Sequence, residues 1–320
     1  MNNVTVIGAG AWGTALAIQA ARAGNAVTLW ARDPTSAATM QRTRTATRLP
    51  NVTLPDTVTV TNDLALTGDL CLLVTPMRYL RAVVGALPAG DATLVVCAKG
   101  VETDSLRLPL EILTELRPYA RAAVLSGPNF AHEVAGGMPA AAVVACADAA
   151  LRDSIAQRLA TASFRLYGND DPIGAQLGGA AKNVIAIAAG AVIGAGLGEN
   201  ARAALVTRGL AELARLTVAL GGKPETVMGL SGLGDLLLTC TGPASRNFSL
   251  GMALGRGETL ATILASRNVA TEGVATAPAL LARAAGIDLP ICSAVAGLLA
   301  GQKSLSQTIA DLLARPRRDE

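Results

Sequence analysis

Val4-Thr5-Val6-Ile7-Gly8-Ala9-Gly10-Ala11-Trp12-Gly13 is the stretch on which the reading of this chain turns. Val4–Ile7 is a short apolar run with β-branched residues, which favours a strand. It ends in Gly8, Gly10 and Gly13, spaced as GxGxxG. An Ala-rich amphipathic segment follows over Thr14–Ala23 and stops at Gly24-Asn25, a helix-terminating pair. Ala26–Trp30 then reads as a second strand. Strand, glycine loop, helix and strand in that order form a βαβ unit with the glycines at its first turn. There they permit a tight turn and the approach of backbone to a pyrophosphate, which the following helix N-terminus attracts.

Further strand-like runs lie at Leu70–Val74, Thr93–Ala98, Ala122–Leu125 and Ala140–Ala145. Helical patterns at Met77–Ala86 and Leu106–Leu116 separate several of them. Alternation of this kind predicts a parallel sheet with helices on both faces. Past Gly168-Asn169-Asp170-Asp171-Pro172 the β-branched runs cease. Helical patterns take over at Ile173–Ala195, Ala201–Leu220, Gly251–Leu254, Leu260–Ser266, Ala275–Ala285 and Ile291–Ala300. The expected fold is therefore α/β: a Rossmann-type parallel-sheet N-terminal domain over residues 1–170, then an all-α C-terminal domain over residues 171–320.

Composition narrows the function. The chain has 320 residues, 51% apolar and 16% charged, with a net charge of +3. Its basic residues are dispersed apart from Arg315-Pro316-Arg317-Arg318, which argues against nucleic acid as a partner. The mean hydropathy of +0.42 is high. Yet Val184–Gly198, a long stretch without charged or strongly polar side chains, is shorter than the roughly 18 to 20 residues a membrane span requires. It reads as a buried core helix. No basic n-region precedes the first apolar run, so no signal peptide is expected. Five scattered Cys and one His leave no zinc-ligand pattern and point to a reducing cytoplasm.

Basic residues number 27, and only Lys99, Lys182, Lys223 and Lys303 are lysine. A sequence that otherwise uses Arg keeps Lys where an amine with a movable pKa is useful. Lys99 follows a buried strand, at the edge where open α/β sheets bind ligands. Lys182 is flanked by Ala180, Ala181, Val184 and Ile185, so it should be largely desolvated and in need of a partner. Asp235, in Gly232-Leu233-Gly234-Asp235, is the candidate. If that segment is helical, Thr239 shares its face. In Ser245-Arg246-Asn247, Arg246 with Asn247 could clamp a phosphate through paired N–H donors. Ser126-Gly127-Pro128-Asn129-Phe130-Ala131 follows a strand and suits a polar ligand, whereas the adjacent His132 reads as a helix-start side chain. At the end of the second strand Ala31 stands where NAD-selective sites carry an acid, with Arg32 next. A guanidinium there favours the 2′-phosphate of NADP(H), and Asp33 keeps NAD(H) open.

Eight blocks, in order and spacing, resemble the bacterial NAD(P)H-dependent glycerol-3-phosphate dehydrogenases over nearly the whole chain. They are GAGAWGTALA (8–17), CAKGVE (97–102), SGPNFAHEVAGGMPAA (126–141), AAKNVIAIAAG (180–190), NARAALVTRGLAEL (200–213), GLSGLGDLLLTC (229–240), SRNFSLG (245–251) and TEGVATAPAL (271–280). The resemblance implies reversible hydride transfer between NAD(P)H and dihydroxyacetone phosphate, giving sn-glycerol 3-phosphate for phospholipid synthesis. It implies that Lys182 exchanges the proton. Lys99, Gly127 and Asn129 match positions around substrate and nicotinamide; Asp235, Ser245, Arg246 and Asn247 match the substrate side, with Arg246 also reaching the cofactor. Ala11, Trp12, Arg32, Ala131 and Glu272 match cofactor contacts beside Gly8, Gly10, Gly13 and Lys99. Two positions depart from the family pattern. Asn129 stands where Thr or Ser is expected, and Gly194 stands near a place where Asp is frequent. A small phosphorylated substrate is the expected partner, and a homodimer the ordinary expectation. Two rival readings of the sequence are another lysine-using dehydrogenase acting on a hydroxyacid or sugar acid, and a non-catalytic cofactor sensor.

Overall fold

Val4 and Val6 of the first strand pack into one hydrophobic cluster, with Leu16, Leu72 and Val95. Ile7 packs into another, with Leu73, Leu80, Val96 and Ile112. Period-two alternation in a strand thus feeds two cores, one on each face of a sheet. The computed structural model describes residues 2–266 and 271–316, so Arg317 and Arg318 of the basic tail lie outside the described residues. It divides into two units. One comprises Met1–Lys99 and Arg107–Gln176; the other comprises Gly100–Leu106 and the chain from Leu177 onward.

The first unit runs β1 (Asn3–Ile7), α1 (Ala11–Arg22), β2 (Ala26–Trp30), α2 (Pro34–Thr43), β3 (Thr45–Ala46), β4 (Leu49–Thr53), β5 (Val58–Thr61), β6 (Leu70–Leu73), α3 (Met77–Ala86), β7 (Thr93–Val96), α4 (Pro109–Leu116), β8 (Ala122–Ser126), α5 (Ala131–Ala135), β9 (Ala140–Ala145), α6 (Ala149–Leu159) and β10 (Phe164–Asn169). Eight strands form one sheet in the order β10-β9-β8-β7-β6-β1-β2-β5, and β3 and β4 form a separate antiparallel pair. The alternation pattern predicts a parallel sheet, but β9 runs antiparallel to β8. The connection is fastened at one end of the sheet: Asn129, three residues past β8, donates its Nδ2 to the carbonyl of Ala141 at the start of β9. The next strand therefore enters from the end at which β8 stopped.

The second unit is helical among its described residues. It holds most of α7 (Pro172–Gly194), then α8 (Gly198–Ala219), α9 (Pro224–Val227), a π-helical turn at Leu230–Gly234, α10 (Asp235–Cys240), α11 (Arg246–Gly255), α12 (Leu260–Ala265), α13 (Glu272–Arg283), α14 (Pro290–Leu299) and α15 (Leu305–Leu313). By length and composition α7 could cross a membrane, but 78% of its most apolar window is buried, as in a core helix. It meets α11 backbone to backbone. A Cβ on Gly190 would stand 2.0 Å from the Phe248 carbonyl oxygen, and one on Gly251 2.0 Å from that of Ile187. A Cβ on Gly194 would stand 2.2 Å from the Met252 carbonyl oxygen, so the same close crossing excludes a side chain there.

Candidate active site

In the first unit the glycine loop is a cradle that side chains would fill. Gly8 has φ +120°, which a residue with a Cβ rarely adopts. Its N–H donates to the Trp30 carbonyl at 3.0 Å, tying the loop to the end of β2. A Cβ on Gly13 would stand 1.7 Å from the Gly8 carbonyl oxygen. One on Gly10 would meet nothing within 4 Å, so that position opens onto free space. Gly10 begins α1 without a side-chain cap, and the first turn of α1 carries no acid. The N–H groups there, with their partial positive charge, suit a pyrophosphate. Ala11 and Trp12 open the helix and pack partly against the core, as does Ala131 at the start of α5. Thr14 Oγ1 and Thr75 Oγ1 are buried without a hydrogen-bond partner among the described residues, and Thr75 Cγ2 lies 3.4 Å from the Gly8 Cβ position. The residues present therefore fit a dinucleotide.

At the end of β2, Ala31 is buried and Arg32 exposed. Asp33 caps α2, its Oδ1 accepting from the Ser36 N–H at 2.7 Å. That hydrogen bond, aided by Arg32, holds the Asp33 carboxyl below the usual range. Beyond β7 and β8 a second group gathers. Lys99 Nζ donates to the Gly127 carbonyl at 3.2 Å. Gly127 has φ +148°, and a Cβ on it would crowd Ala142 Cα at 2.9 Å. Asn129 Nδ2 donates to the Ala141 carbonyl at 3.0 Å, fastening the loop to β9. A Thr or Ser hydroxyl is too short to span that gap in the same way, which accounts for the amide. Asn129 Oδ1 and Ser126 Oγ are buried without a hydrogen-bond partner among the described residues. His132 exposes its side chain and stacks on Phe130.

In the second unit Lys182 Nζ meets Asp235 Oδ1 at 2.5 Å, and both residues are buried. The π-helical turn delivers Asp235. It fits because a Cβ on Gly178 would stand 2.3 Å from the Ser231 carbonyl oxygen, and one on Gly232 2.1 Å from that of Val227. Single π-turns are frequent at functional sites. Thr239 shares the helix face with Asp235, and its Oγ1 donates to the Asp235 carbonyl at 2.6 Å. Cys240 is buried, which pushes its thiol up to about 12 against the pull of Lys182, so it is an inert core thiol.

Ser245 caps α11, with its Oγ accepting from the Phe248 N–H at 3.2 Å. Arg246, the next residue, is exposed. Asn247 braces the site from within: Nδ2 donates to Asn183 Oδ1 at 2.8 Å, and Oδ1 accepts from the Gly273 N–H at 3.0 Å. One Nδ2 hydrogen of Asn247 is not used by these bonds. Asn183 and Gly273 escape a sequence reading because Asn183 stands beside the more conspicuous Lys182 and Gly273 beside Glu272. Glu272 opens α13, half-buried. Arg246 and Glu272 thus belong to the second unit, and the other expected cofactor residues to the first. Among the described residues no group of His, Cys, Asp and Glu could hold a metal ion.

Comparison with known proteins agrees across the whole chain. The family profile described as NAD-dependent glycerol-3-phosphate dehydrogenase N-terminus matches residues 3–152, and its C-terminal counterpart matches residues 171–310. A glycerol-3-phosphate dehydrogenase (NAD(P)+) of Acidiphilium cryptum is 57% identical over 98% of this chain and 97% of its own. That of Gluconobacter oxydans is 53% identical over 98% of this chain and 97% of its own. The crystal structure of glycerol-3-phosphate dehydrogenase from Coxiella burnetii superposes with a TM-score of 0.93 at 37% identity, covering 98% of this chain and 99% of that one. The chain belongs to the NAD-dependent glycerol-3-phosphate dehydrogenase family.

Proposed function

We propose that this chain is an enzyme that reversibly reduces dihydroxyacetone phosphate to sn-glycerol 3-phosphate with NAD(P)H. The observation that carries the reading is the buried Lys182–Asp235 pair, in a chain whose relatives bear that activity in their names. Residues 1–170 bind the cofactor, and residues 171–320 supply the substrate groups and the proton. When bound, the nicotinamide supplies the hydride that reduces the C2 carbonyl. Lys182 as ammonium gives its proton to the C2 oxygen, and takes it back in the reverse direction. Asp235 holds the Lys182 amine in place. Lys99 adds positive charge where the oxyanion develops. Arg246 and the remaining N–H of Asn247 hold the phosphate, so that binding energy from this remote group orients the carbonyl.

NADP(H) is the preferred cofactor in this reading. Ala31 supplies no acid to the ribose 2′-hydroxyl, Asp33 is committed to Ser36, and Arg32 stands ready for a phosphate. The product enters glycerophospholipid synthesis. The five cysteines are unpaired and buried, in keeping with a reducing cytoplasm.

Absorbance at the NAD(P)H band, with purified protein and dihydroxyacetone phosphate, tests the proposal. Rapid loss with NADPH and slow loss with NADH is expected. Equal loss with both would discard the cofactor preference. No loss in protein shown to bind cofactor would overturn the reaction.

A further inference from the structure

Arg32 and Arg78 share one aromatic ring. The Cζ of Arg32 lies 5.0 Å from the centroid of Tyr79, and that of Arg78 lies 4.6 Å from it. The two guanidiniums are therefore at most about 10 Å apart, no more than one Debye length at 0.1 M salt. Both side chains are exposed. Such a pair repels itself, and the ring face offsets only part of that. Asp33, the adjoining carboxylate, is engaged in capping α2. A dianion set against both cations would remove the repulsion.

The topology says which dianion. β2 and β6 pair with β1 on its two sides. Arg32 lies just past β2, and Arg78 lies in the first turn of α3, just past β6. The glycine loop touches both neighbours: Gly8 donates to the Trp30 carbonyl, and a Cβ on Gly8 would stand 2.8 Å from the Val74 carbonyl oxygen. In this fold the pyrophosphate belongs to the N-terminus of α1, and the adenosine ribose to the end of β2. A phosphate on the 2′ position is the dianion that would lie at that end. Two guanidinium forks suit its oxygens.

We propose that Arg78 is a second cofactor-selecting residue, held with Arg32 on the Tyr79 ring to receive the 2′-phosphate of NADP(H). The inference rests on the cofactor preference proposed above and extends it to a residue outside β2 and its loop. Tyr79 is a positioning residue, acting through the two arginines.

Binding titrations of the purified chain with NADPH and with NADH test it, read as the ratio of the two affinities. A misfolded variant weakens both and leaves the ratio alone. Arg78→Gln should lower the NADPH preference about tenfold, the scale of one charge-assisted hydrogen bond. Arg78→Lys should restore part of it. Tyr79→Phe should keep the preference, and Tyr79→Leu should lower it. A wild-type preference for NADPH that Arg78→Gln leaves intact would overturn the clamp and spare the cofactor reading. A wild-type ratio near one would overturn the cofactor preference and the clamp with it.

Discussion

Lys182 and Asp235, 53 residues apart in sequence, form an ion pair of 2.5 Å with side-chain exposures of 11% and 1%. In that setting each charge depends on the other. Removing one leaves the second desolvated and uncompensated, at a cost of about 3–5 kcal/mol. Asp235→Asn is therefore expected to lower both thermal stability and kcat. Lys182→Ala should lower kcat at least about 100-fold, the scale of a lost general acid–base group, while NADPH affinity is held. Steady-state kinetics beside a cofactor titration check this. Turnover retained in Lys182→Ala would remove Lys182 from proton transfer.

Arg246 is exposed at the start of α11, and Ser245 and Asn247 on either side of it are buried and hydrogen-bonded within the fold. Its substitution should therefore disturb binding more than folding. Arg246→Ala is expected to raise KM for dihydroxyacetone phosphate by about tenfold or more, as loss of a charged hydrogen-bond pair would. Unphosphorylated dihydroxyacetone, which lacks the group being clamped, should be affected far less. Equal losses on the two ketones would contradict a phosphate contact at Arg246.

The glycine loop and its flanking strands were legible because local physics sets them: Ala26–Trp30 and Ala140–Ala145 stand where periodicity places them. The Lys182–Asp235 pair was legible for a different reason. A lysine among Ala, Val and Ile needs a carboxylate, and few apolar segments offer one. What stayed hidden depends on connections and tertiary contacts. β10 and α6 were unread because Phe164–Asn169 has polar residues at exposed positions of an edge strand and α6 is weakly amphipathic. The reversal of β9 depends on how the loop after β8 is fastened to the start of β9, which a strand pattern does not reveal. Asn247 looked like a phosphate donor, and its bonds to Asn183 and Gly273 appear only once α7, α11 and α13 are packed. Arg78 gains its place only when α3 sets it beside Arg32 on the Tyr79 ring, 46 positions along the chain.

Gly194 illustrates a contact of the same kind that can be measured. Its modest place in the sequence conceals a backbone crossing with Met252 at a distance that excludes any Cβ. Gly194→Ala must push α7 away from α11, and overpacking of this kind costs about 1–3 kcal/mol. A lower Tm is expected, and a larger drop for Gly194→Asp, which adds a charge at the crossing. Gly196→Ala, where a Cβ meets nothing within 4 Å, is the contrasting case. Its φ of +72° makes any loss there a matter of backbone strain and not of helix packing. If Gly194→Ala melts with the wild type, α7 and α11 are not locked at this point.

Glu212 reaches from α8 to cap a different helix. Its carboxylate accepts from the N–H groups of Ile291 at 2.6 Å and Cys292 at 3.2 Å, in the first turn of α14. Burial pushes its carboxyl above the ordinary value of 4.5, outweighing those two donors and Arg215. The native state then holds this proton to a higher pH than the unfolded chain does. Stability from the site is fully present below the unfolded pKa and is lost as pH rises through the native one. The Tm of the wild type, taken relative to Glu212→Gln, should therefore fall as pH is raised from about 4, where the unfolded carboxyl begins to ionise. Glu212→Ala removes both acceptors and leaves two buried N–H groups, each costing about 1–3 kcal/mol, so its Tm should be low at every pH. Thermal melts of the three proteins across that range decide the matter. A wild-type advantage that grows with pH would mean that the N–H donors of α14, and not burial, govern this carboxylate.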